Sequence, residues 1–591
     1  MPRATPAIAA IALLGGAFVA LLTWSWGRWP DVLVDFGREL YVPWQLASGR
    51  VLYRDVAYFN GPLSPYFNAL WFALLGPSLR VLALVNGALV LLFVVLLYRL
   101  LERIGSRPSA LIGCATFLLL FAFGQQLPIG NYNYLAPYSH EITHGTLLGL
   151  AALLLLDRFA RTERTRDLVA CAVCVGLALL TKPEVALAVV VAVSAGVLLV
   201  LAAHRSAARR RPRSLAVYVG AVALPPFLAA GLLALALPLG DAVAGVLGGH
   251  RWLLTDEITS LRFYRSTMGT LVPSASLRTV ATWTAAWLLF LAVAAALDAV
   301  WRPQRIASHV RGAIAFFATL AVLLLVRGDV RWMQALLPLP VVALLAAVGF
   351  TLAALRARDD TRRARLVLAA ATALLSLLLL AKIVLRVRAA HYGFVLAMPA
   401  TMLAIVLIWD WLVPLVRRGG DGAVVRGALL AALAVIVAVH FERTASFYAA
   451  KTHLVGRGGD VLRADGRGIE VARLLSEIER GTPPGATLAV VPEGAMVNYL
   501  TRRPSSTPHV SFMPVEMAMF GEDEMLASLE RRPPDFVLLV ARPMHEFGLA
   551  GFGVDYGRRI AGWIGAHYRP VSPSPDDAPL VLMRRAAQRR R

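Results

Sequence analysis

Long apolar runs, separated by short polar segments, fill this sequence up to about residue 441. Each run approaches the ~20 residues that an α-helix needs to cross a bilayer, whereas the strands of a membrane barrel would alternate polar and apolar residues. We therefore predict a polytopic α-helical membrane protein with about thirteen transmembrane helices. Their predicted limits are 7–24, 81–99, 109–124, 145–156, 168–180, 185–203, 215–238, 279–300, 312–326, 333–355, 366–385, 394–416 and 425–441.

The composition also indicates a membrane protein. Of the 591 residues, 58% are hydrophobic and only 16% are charged, which is less charge than a soluble protein of this length carries. The net charge of +23 comes from arginines that concentrate in the short loops, where they orient helices in the membrane. Because this pattern implies no folded basic surface, we predict no nucleic-acid partner.

The charges of the loops predict the orientation of the chain. Loops 157–167, 204–214 and 356–365 contain RTERTR, RSAARRRPR and RARDDTRRAR, whereas residues 125–144 contain no Lys or Arg. Cytoplasmic loops are enriched in basic residues, so the N-terminus is predicted inside and the first loop, residues 25–80, outside the cytoplasm. The first apolar run lacks a small-residue cleavage site, and we expect it to be retained as the first helix.

Residues 442–591 differ in pattern from the membrane domain, residues 1–441. Two apolar runs have the length of strands and two segments have the period of helices. These segments are ATLAVV (486–491), DFVLLVA (535–541), GIEVARLLSEIER (468–480) and EDEMLASLERR (522–532). Strands that alternate with helices predict a small α/β domain, and an odd number of preceding spans places that domain outside the cytoplasm.

Two acidic residues, Asp35 and Glu39, follow the first apolar run and are the candidate catalytic residues. On a helix, a spacing of four residues would put both on one face. Two carboxylates this close repel each other, and one use of such a pair is a general base beside a carboxylate that binds metal or substrate. The structural alternative is that Asp35 caps the helix while Glu39 pairs with Arg38 or with solvent.

The first loop continues with a charged and aromatic segment, LYRDVAYFNGPLSPY. Its residues Arg54, Asp55 and Tyr58 are candidates for binding substrate or phosphate, because long structured loops on a helical scaffold often carry function. The alternative is that the aromatic residues only anchor the loop at the membrane interface, which is the depth they prefer.

The second outer loop ends in HEITH, which supplies His140, Glu141 and His144 as candidate ligands of a divalent metal ion. The two histidines are four residues apart and would face one way on a helix. Three candidate ligands do not by themselves make a metal site, so the pattern is weak. Cys171 and Cys174 form a C-x-x-C inside an apolar run, where helix packing is the expected role.

Basic residues also lie at the outer ends of the predicted spans, where the positive-inside bias should deplete them. The planar fork of arginine matches the geometry of a phosphate, which makes these residues candidates for binding an anionic ligand. The alternative roles are orientation in the membrane and helix capping. The candidates are Lys182, Arg327, Arg331, Arg386 and Arg388, and Arg251, Arg262 and Arg265 lie on the same face.

The first outer loop resembles that of GT-C fold membrane glycosyltransferases, among them RgtA/B/C/D-type, aminoarabinose and protein-mannosyl transferases. The residues that carry the resemblance are Asp35-Phe-Gly-Arg-Glu39, Gly49-Arg-Val-Leu-Tyr53-Arg-Asp55 and Gly61-Pro-Leu-Ser-Pro65-Tyr66. The resemblance covers residues 1 to about 440. Many members have two adjacent acids and a Lys-Pro-Pro in this loop, where this chain has acids four residues apart and Asn60-Gly-Pro62.

The resemblance implies a glycosyltransferase at the outer face of a bacterial inner membrane. The implied donor is a sugar on a polyprenyl phosphate, and the acceptor is a glycan, a lipid or a protein of the envelope. A carboxylate, preferably Asp35, would accept the proton of the acceptor. Arginines or a divalent metal ion would stabilise the leaving phosphate, while the prenyl tail lies among membrane lipids in a groove between helices.

Two other functions fit a polytopic chain. A flippase or transporter of lipid-linked sugars would bind its substrate at mid-membrane through broken helices or buried charges, whereas here the polar residues gather outside the spans. A non-catalytic envelope-assembly protein would use the C-terminal domain as a docking module, and it would tolerate the substitution Asp35→Asn.

Overall fold

The computed structural model describes residues 5–203, 211–253, 255–301, 306–416, 421–572 and 578–586. Among these residues, ten helices are long and apolar enough to cross a membrane, the first at Leu79–Ile104 and the last at Ala423–Ala449. The predicted class, a polytopic helical membrane protein with a small C-terminal α/β domain, is confirmed. The predicted number of thirteen spans is not confirmed.

Helices α1 to α20 form the membrane region and its loops in the described part of the chain. Their bounds are α1 Thr5–Ser25, α2 Phe36–Ala47, α3 Leu63–Leu75, α4 Leu79–Ile104, α5 Arg107–Thr116, α6 His140–Thr162, α7 Thr165–Ala178, α8 Pro183–Ala203, α9 Arg211–Leu233, α10 Leu239–Leu247, α11 Asp256–Thr259, α12 Arg262–Met268, α13 Pro273–Val300, α14 Ser308–Leu325, α15 Leu339–Arg356, α16 Asp360–Leu380, α17 Gly393–Leu396, α18 Met398–Val406, α19 Val413–Val416 and α20 Ala423–Ala449. The last helix runs past residue 441, where the sequence predicted the domain boundary.

The break between α7 and α8 lies between the predicted spans 168–180 and 185–203. Proline fits the first turn of a helix, because its missing N–H would have no partner there, and α8 begins at Pro183. The hydroxyl of Thr181 donates to the carbonyl oxygen of Ala178 at 2.6 Å and closes the end of α7. The turn leaves Lys182 and Glu184 at one end of the helix bundle.

The first loop and the C-terminal domain meet at the same end of the bundle. Arg467 of the C-terminal domain lies 2.8 Å from the carboxylate of Asp31 in the first loop. The backbone N–H of Leu79, at the start of α4, donates to Asp460 at 2.8 Å. Helix α4 then carries the chain to the opposite end of the bundle at Ile104.

The C-terminal domain contains two small sheets and five helices in its described part. The strands are β1 His453–Val455, β2 Leu462–Ala464, β3 Leu488–Val491, β4 Phe536–Val540, β5 Tyr568–Pro570 and β6 Leu580–Arg585. The helices are α21 Arg467–Gly481, α22 Ala495–Thr501, α23 Pro514–Phe520, α24 Glu522–Arg531 and α25 Arg558–His567. Both predicted strands and both predicted helices of this domain are present, as β3, β4, α21 and α24.

The larger sheet has the strand order β3-β4-β6-β5. Strands β3 and β4 run parallel, with Leu488 opposite Phe536, and the other pairs are antiparallel. Met525 of α24 and Ile560 of α25 pack with Val537 of β4 in a core that is fully buried. The parallel pair brings the carboxyl ends of β3 and β4 to one edge of the sheet, which faces the first loop.

Helix α2 packs against α22 of the C-terminal domain through a glycine. A Cβ atom added at Gly37 would lie 1.9 Å from the backbone nitrogen of Met496 and 2.6 Å from the carbonyl carbon of Ala495. These are backbone atoms, which cannot move aside as the end of a flexible side chain can. Only glycine therefore allows the two helices to approach this closely.

We expect Gly37→Ala to loosen the C-terminal domain from the membrane domain. Overpacking costs about 1–3 kcal/mol, so the midpoint of thermal unfolding should fall and limited proteolysis should release the C-terminal domain sooner. Gly562→Ala is the control, since Gly562 lies in α25 with open space around its Cβ position. Equal protease resistance of Gly37→Ala and the native protein would contradict the expected clash.

Candidate active site

A cavity of about 460 Å³ lies at the end of the bundle, between the membrane domain and the C-terminal domain. Its walls come from both outer loops, the turn before α8, the end of α16 and the loops after β3 and β4. The polar and charged side chains that line it are Asp35, Arg38, Asn60, Tyr132, Tyr138, Lys182, Glu184, Thr259, Tyr264, Lys382, His391, Tyr392, Glu493, Ser511, Glu516, Arg542 and Glu546.

A tight turn in the first loop presents Asp35 to the cavity. The carboxylate of Asp31 accepts the backbone N–H groups of Leu33 and Val34, each at 3.0 Å. Asn131 of the second loop accepts the N–H of Asp31 at 2.6 Å and donates to the carbonyl oxygen of Val34 at 3.0 Å. Asp35 follows this turn with φ +57°, a conformation that side chains rarely adopt.

The carboxylate of Asp35 accepts a hydrogen bond from the hydroxyl of Tyr132 at 3.2 Å, and that hydroxyl lies 3.1 Å from Nε2 of His391. The backbone N–H of Asp35 donates to the Glu493 carboxylate of the C-terminal domain at 2.8 Å. Burial raises the pKa of Asp35 above its ordinary value, while the charge of Arg542 opposes the shift. A raised pKa suits a carboxylate that must accept a proton.

The second candidate acid, Glu39, does not line the cavity. Its carboxylate accepts the backbone N–H of His140 at 3.0 Å and lies 2.6 Å from Nδ1 of the same residue, at the start of α6. Burial raises the pKa of Glu39, but the hydrogen bond and charge of His140 and the charge of Arg38 outweigh it, so the pKa is lowered. Because Asp35 precedes α2 instead of lying in it, the two carboxylates do not share a helix face.

Two lysines line the membrane side of the cavity. Lys182 is buried and donates to the hydroxyl of Tyr138 at 3.2 Å, with its ammonium 4.6 Å from the centre of that ring. Lys382 donates to Glu184 at 2.7 Å and lies 4.1 Å from the centre of the Tyr392 ring. Burial lowers the pKa of Lys182 to about 8, against the charge of Glu184, which raises it.

Two arginines complete the positive side chains of the cavity. Arg38 donates to the carbonyl oxygen of Tyr138 at 3.1 Å and lies 3.9 Å from the carboxylate of Glu516. Arg542 follows β4 and pairs with Glu493, which follows β3, and with Glu546 at 3.1 Å. Ligands of α/β domains commonly bind outside the carboxyl ends of parallel strands. Glu493 and Arg542 occupy that position after β3 and β4.

The structure places three candidates of the first loop away from the cavity wall. Arg54 is exposed and pairs with its neighbour Asp55 at 2.9 Å, and Asp55 also accepts the N–H of Val51 at 2.8 Å. The hydroxyl of Tyr58 donates to Glu141 below the cavity. These contacts hold the three residues within the loop or against α6, and none of the three lines the cavity.

Among the predicted phosphate-binding cations, Lys182 lines the cavity and the four arginines do not. Arg327 pairs with Glu442 and Arg331 is exposed. Arg386 donates to the carbonyl oxygen and hydroxyl of Ser266 at 3.0 and 2.9 Å, and Arg388 is half-buried outside the cavity.

The three predicted metal ligands, His140, Glu141 and His144, make separate contacts in the structure. His140 directs Nδ1 to Glu39 and Nε2 to Asn86 at 3.0 Å. Glu141 accepts the hydroxyls of Tyr58 and Ser139, and His144 Nδ1 lies 2.9 Å from the hydroxyl of Ser64. Within the residues that the structure describes, no three His, Cys, Asp or Glu side chains are arranged to hold a metal ion.

The sequence predictions missed most of the cavity residues, although some had a signal. Glu493 and Arg542 each follow a buried strand-length run that the sequence predicted, in VVPEG and LLVARP. Tyr132 lies in the second outer loop, where the sequence predicted metal ligands. His391 follows Arg386 and Arg388, which the sequence predicted as phosphate-binding residues. Lys382 lies inside an apolar run, near the end of the predicted span 366–385. Nothing in the sequence distinguishes it from an ordinary charged residue at the end of a transmembrane helix.

Comparison with known proteins agrees with this architecture. Residues 60–230, less than a third of the chain, match the family described as dolichyl-phosphate-mannose-protein mannosyltransferase. The match confirms the resemblance to GT-C glycosyltransferases in this segment, which contains the second outer loop and Lys182 but begins after Asp35. No curated protein matches the chain.

Solved structures that are similar to this chain include the following two. The oligosaccharyltransferase of Archaeoglobus fulgidus in the apo form is 12% identical, with a TM-score of 0.44 over 90% of this chain and 69% of the other. ArnT from Cupriavidus metallidurans bound to undecaprenyl phosphate is 13% identical, with a TM-score of 0.43 over 99% of each chain.

Proposed function

We propose that the protein is a glycosyltransferase that moves a sugar from a polyprenyl-phosphate donor to an acceptor in the cell envelope. The observation that carries the proposal is a cavity at the end of a membrane bundle that is lined by Asp35, a carboxylate whose pKa burial raises, and by two lysines. The family match supports a lipid-phosphate sugar as donor. We place the cavity at the outer face of a bacterial inner membrane, as the loop charges predict.

The proposed reaction exchanges one bond at the anomeric carbon of the sugar. A hydroxyl or amine of the acceptor attacks this carbon, the bond to the phosphate oxygen breaks, and polyprenyl phosphate leaves with the electron pair. Asp35 receives the acceptor's proton, and the Tyr132 hydroxyl orients its carboxylate. Lys182, Lys382 and Arg38 face the same cavity and would offset the negative charge that grows on the phosphate.

The cavity also provides a path for the lipid part of the donor. Leu187 of α8 and Leu378 and Leu379 of α16 line it together with the lysines. The side chain of Leu187 is 52% exposed on the surface of the bundle, so the apolar wall continues from the cavity to the lipid-facing surface. An amphipathic donor with a phosphate head and a prenyl tail matches this gradient from charge to hydrocarbon.

The direct test is to purify the full chain, supply a panel of polyprenyl-phosphate sugars with envelope extract as acceptor, and measure free polyprenyl phosphate. We expect release that depends on acceptor and protein. Transport of the intact donor across vesicles, without any release, would instead identify a flippase. Absence of both activities across the panel would contradict the proposed function.

The pKa of Lys182 predicts a basic limb in the pH dependence of donor use. Lys182 is charged below about pH 8 and loses its charge as the pH rises through that value. The neighbouring charges of Glu184, Lys382 and Arg38 belong to the same cavity wall. Because a charged hydrogen bond contributes about 1.5–3 kcal/mol, kcat/KM for the donor should fall at least about tenfold above this limb.

The variant Lys182→Met tests the assignment of this limb. It should have a low kcat/KM for the donor at every pH and no transition near pH 8. Arg54→Gln is the matched control, because Arg54 is exposed and does not line the cavity. A transition near pH 8 that persists in Lys182→Met would assign the limb to another group.

A further inference from the structure

A second recess, of about 420 Å³, lies at the opposite end of the bundle between the last turns of α4 and α6. It is lined by Arg99, Arg103, Leu154, Asp157, Arg158, Arg161 and Thr162. Helix α4 separates it from the proposed active site by its whole length. The positive-inside bias explains arginines at this end of the bundle, but it does not explain why four of them converge from two helices on one recess.

The recess carries an excess of positive charge. The buried carboxylate of Asp157 is held by Arg161 at 2.9 Å and lies 3.8 Å from Arg103. Arg158 lies 3.1 Å from the buried carboxylate of Asp167. The four arginines and these two aspartates together carry a net charge of +2.

Arg99 has no such partner. It is exposed at the rim of the recess, and it makes no hydrogen bond or ion pair with any residue that the structure describes. Its guanidinium is therefore available to an anion, and its removal would leave no buried partner uncompensated. Arg103, Arg158 and Arg161, in contrast, hold carboxylates that would be destabilised by their loss.

Apolar side chains lead along both helices to the arginines, and those on α4 are exposed. On α4, Leu92 and Val95 are 43% and 56% exposed, and Arg99 and Arg103 follow at spacings of four residues on the same face. On α6, Leu154 precedes Arg158 by one turn and lines the recess. Apolar surface along the helices would contact the acyl chains of an anionic phospholipid, and the positive charge at the helix ends would attract its negative headgroup.

We propose that this recess binds the headgroup of an anionic phospholipid, with its phosphodiester on Arg99 and Arg158 and its acyl chains along Leu92 and Val95. Basic pockets between transmembrane helices are a recurrent form of headgroup site. A soluble phosphate would use the guanidinium groups but would gain nothing from the apolar stripes. The proposal does not depend on the reaction at the other end of the bundle.

The test uses the full chain, purified in a neutral detergent and titrated with dioleoyl phosphatidylglycerol while native mass spectrometry counts bound lipids. Arg99→Glu exchanges a positive for a negative charge, and we expect binding to weaken about thirtyfold. The matched control is Arg356→Glu. Arg356 is an exposed arginine at the end of α15 that likewise has no hydrogen bond or ion pair in the described residues.

Each outcome decides the proposal. Weaker binding in Arg99→Glu but not in Arg356→Glu, with little binding of dioleoyl phosphatidylcholine, would support it. Equal binding of phosphatidylglycerol by both variants would overturn it. If inorganic phosphate displaces the bound lipid at millimolar concentration, the recess is a site for free anions and the lipid proposal fails.

Discussion

Asp35→Asn is expected to lower the rate of sugar transfer by about 10²–10⁴-fold, the usual contribution of a general base. Asparagine preserves the size of the side chain and can still accept the hydrogen bond from Tyr132, but it cannot take up the proton of the acceptor. Because only proton transfer is removed, kcat should fall while KM for the donor changes little. Release of polyprenyl phosphate with a saturating donor measures this effect.

Asp55→Asn is the matched control for this substitution. Asp55 lies in the same loop and pairs with Arg54, but it does not line the cavity, so its loss should change activity by less than about threefold. Glu39→Gln is a separate case, since Glu39 holds the start of α6 through His140, and it should lower stability more than kcat. Normal turnover by Asp35→Asn would exclude Asp35 as the base.

Glu493→Ala is expected to lower kcat by about 10–100-fold, although Glu493 belongs to the C-terminal domain. Its carboxylate accepts the N–H of Asp35 and holds that residue at φ +57°. Without the bond, the backbone of Asp35 can relax to a negative φ and move the carboxylate, and a displacement of 1 Å can cost about 10²-fold. This result would identify Glu493 as a positioning residue for Asp35.

The conservative variant separates this role from simple loss of structure. Glu493→Gln keeps an oxygen that can accept the Asp35 N–H, so it should recover most of kcat, while Glu493→Ala should not. Both variants remove the pairing with Arg542, so a difference between them isolates the hydrogen bond. If both variants are equally slow with native thermal stability, the hydrogen bond to Asp35 has no role in catalysis.

The membrane class and the C-terminal elements could be read from the sequence. A helix satisfies every backbone hydrogen bond inside one segment, so an apolar run of membrane length has almost no other fold available. The runs ATLAVV and DFVLLVA became β3 and β4 for a comparable reason, since a short apolar run between turns is buried as a strand.

Hydropathy defines the short helices poorly. Leu63–Leu75 lies in the predicted first loop but forms α3, and the predicted span 168–180 corresponds to α7, which has only 14 residues at Thr165–Ala178. Hydropathy measures the average transfer of a segment into lipid, and it does not distinguish a short helix within the bundle from one that crosses the membrane.

The site was only partly predictable. Asp35 and Lys182 could be selected because a charge beside an apolar run is unusual, and the structure brings both to one cavity. Arg327 and Arg386 had the same signal, but they pair with Glu442 and Ser266 elsewhere on that face. The position of a charged residue near the end of a span predicts its depth in the membrane. It does not predict which side of the helix bundle the charged side chain occupies.

The sequence by itself determined where the chain enters the membrane and which segments become strands, because those outcomes depend on local hydrophobicity and backbone hydrogen bonding. Only the tertiary structure decided which charges meet. Asp35, Lys382 and Glu493 are more than 100 residues apart in the sequence, and the folded chain brings all three to one cavity. Such contacts depend on how the surfaces of segments distant in sequence fit together. The sequence of one segment does not specify that fit.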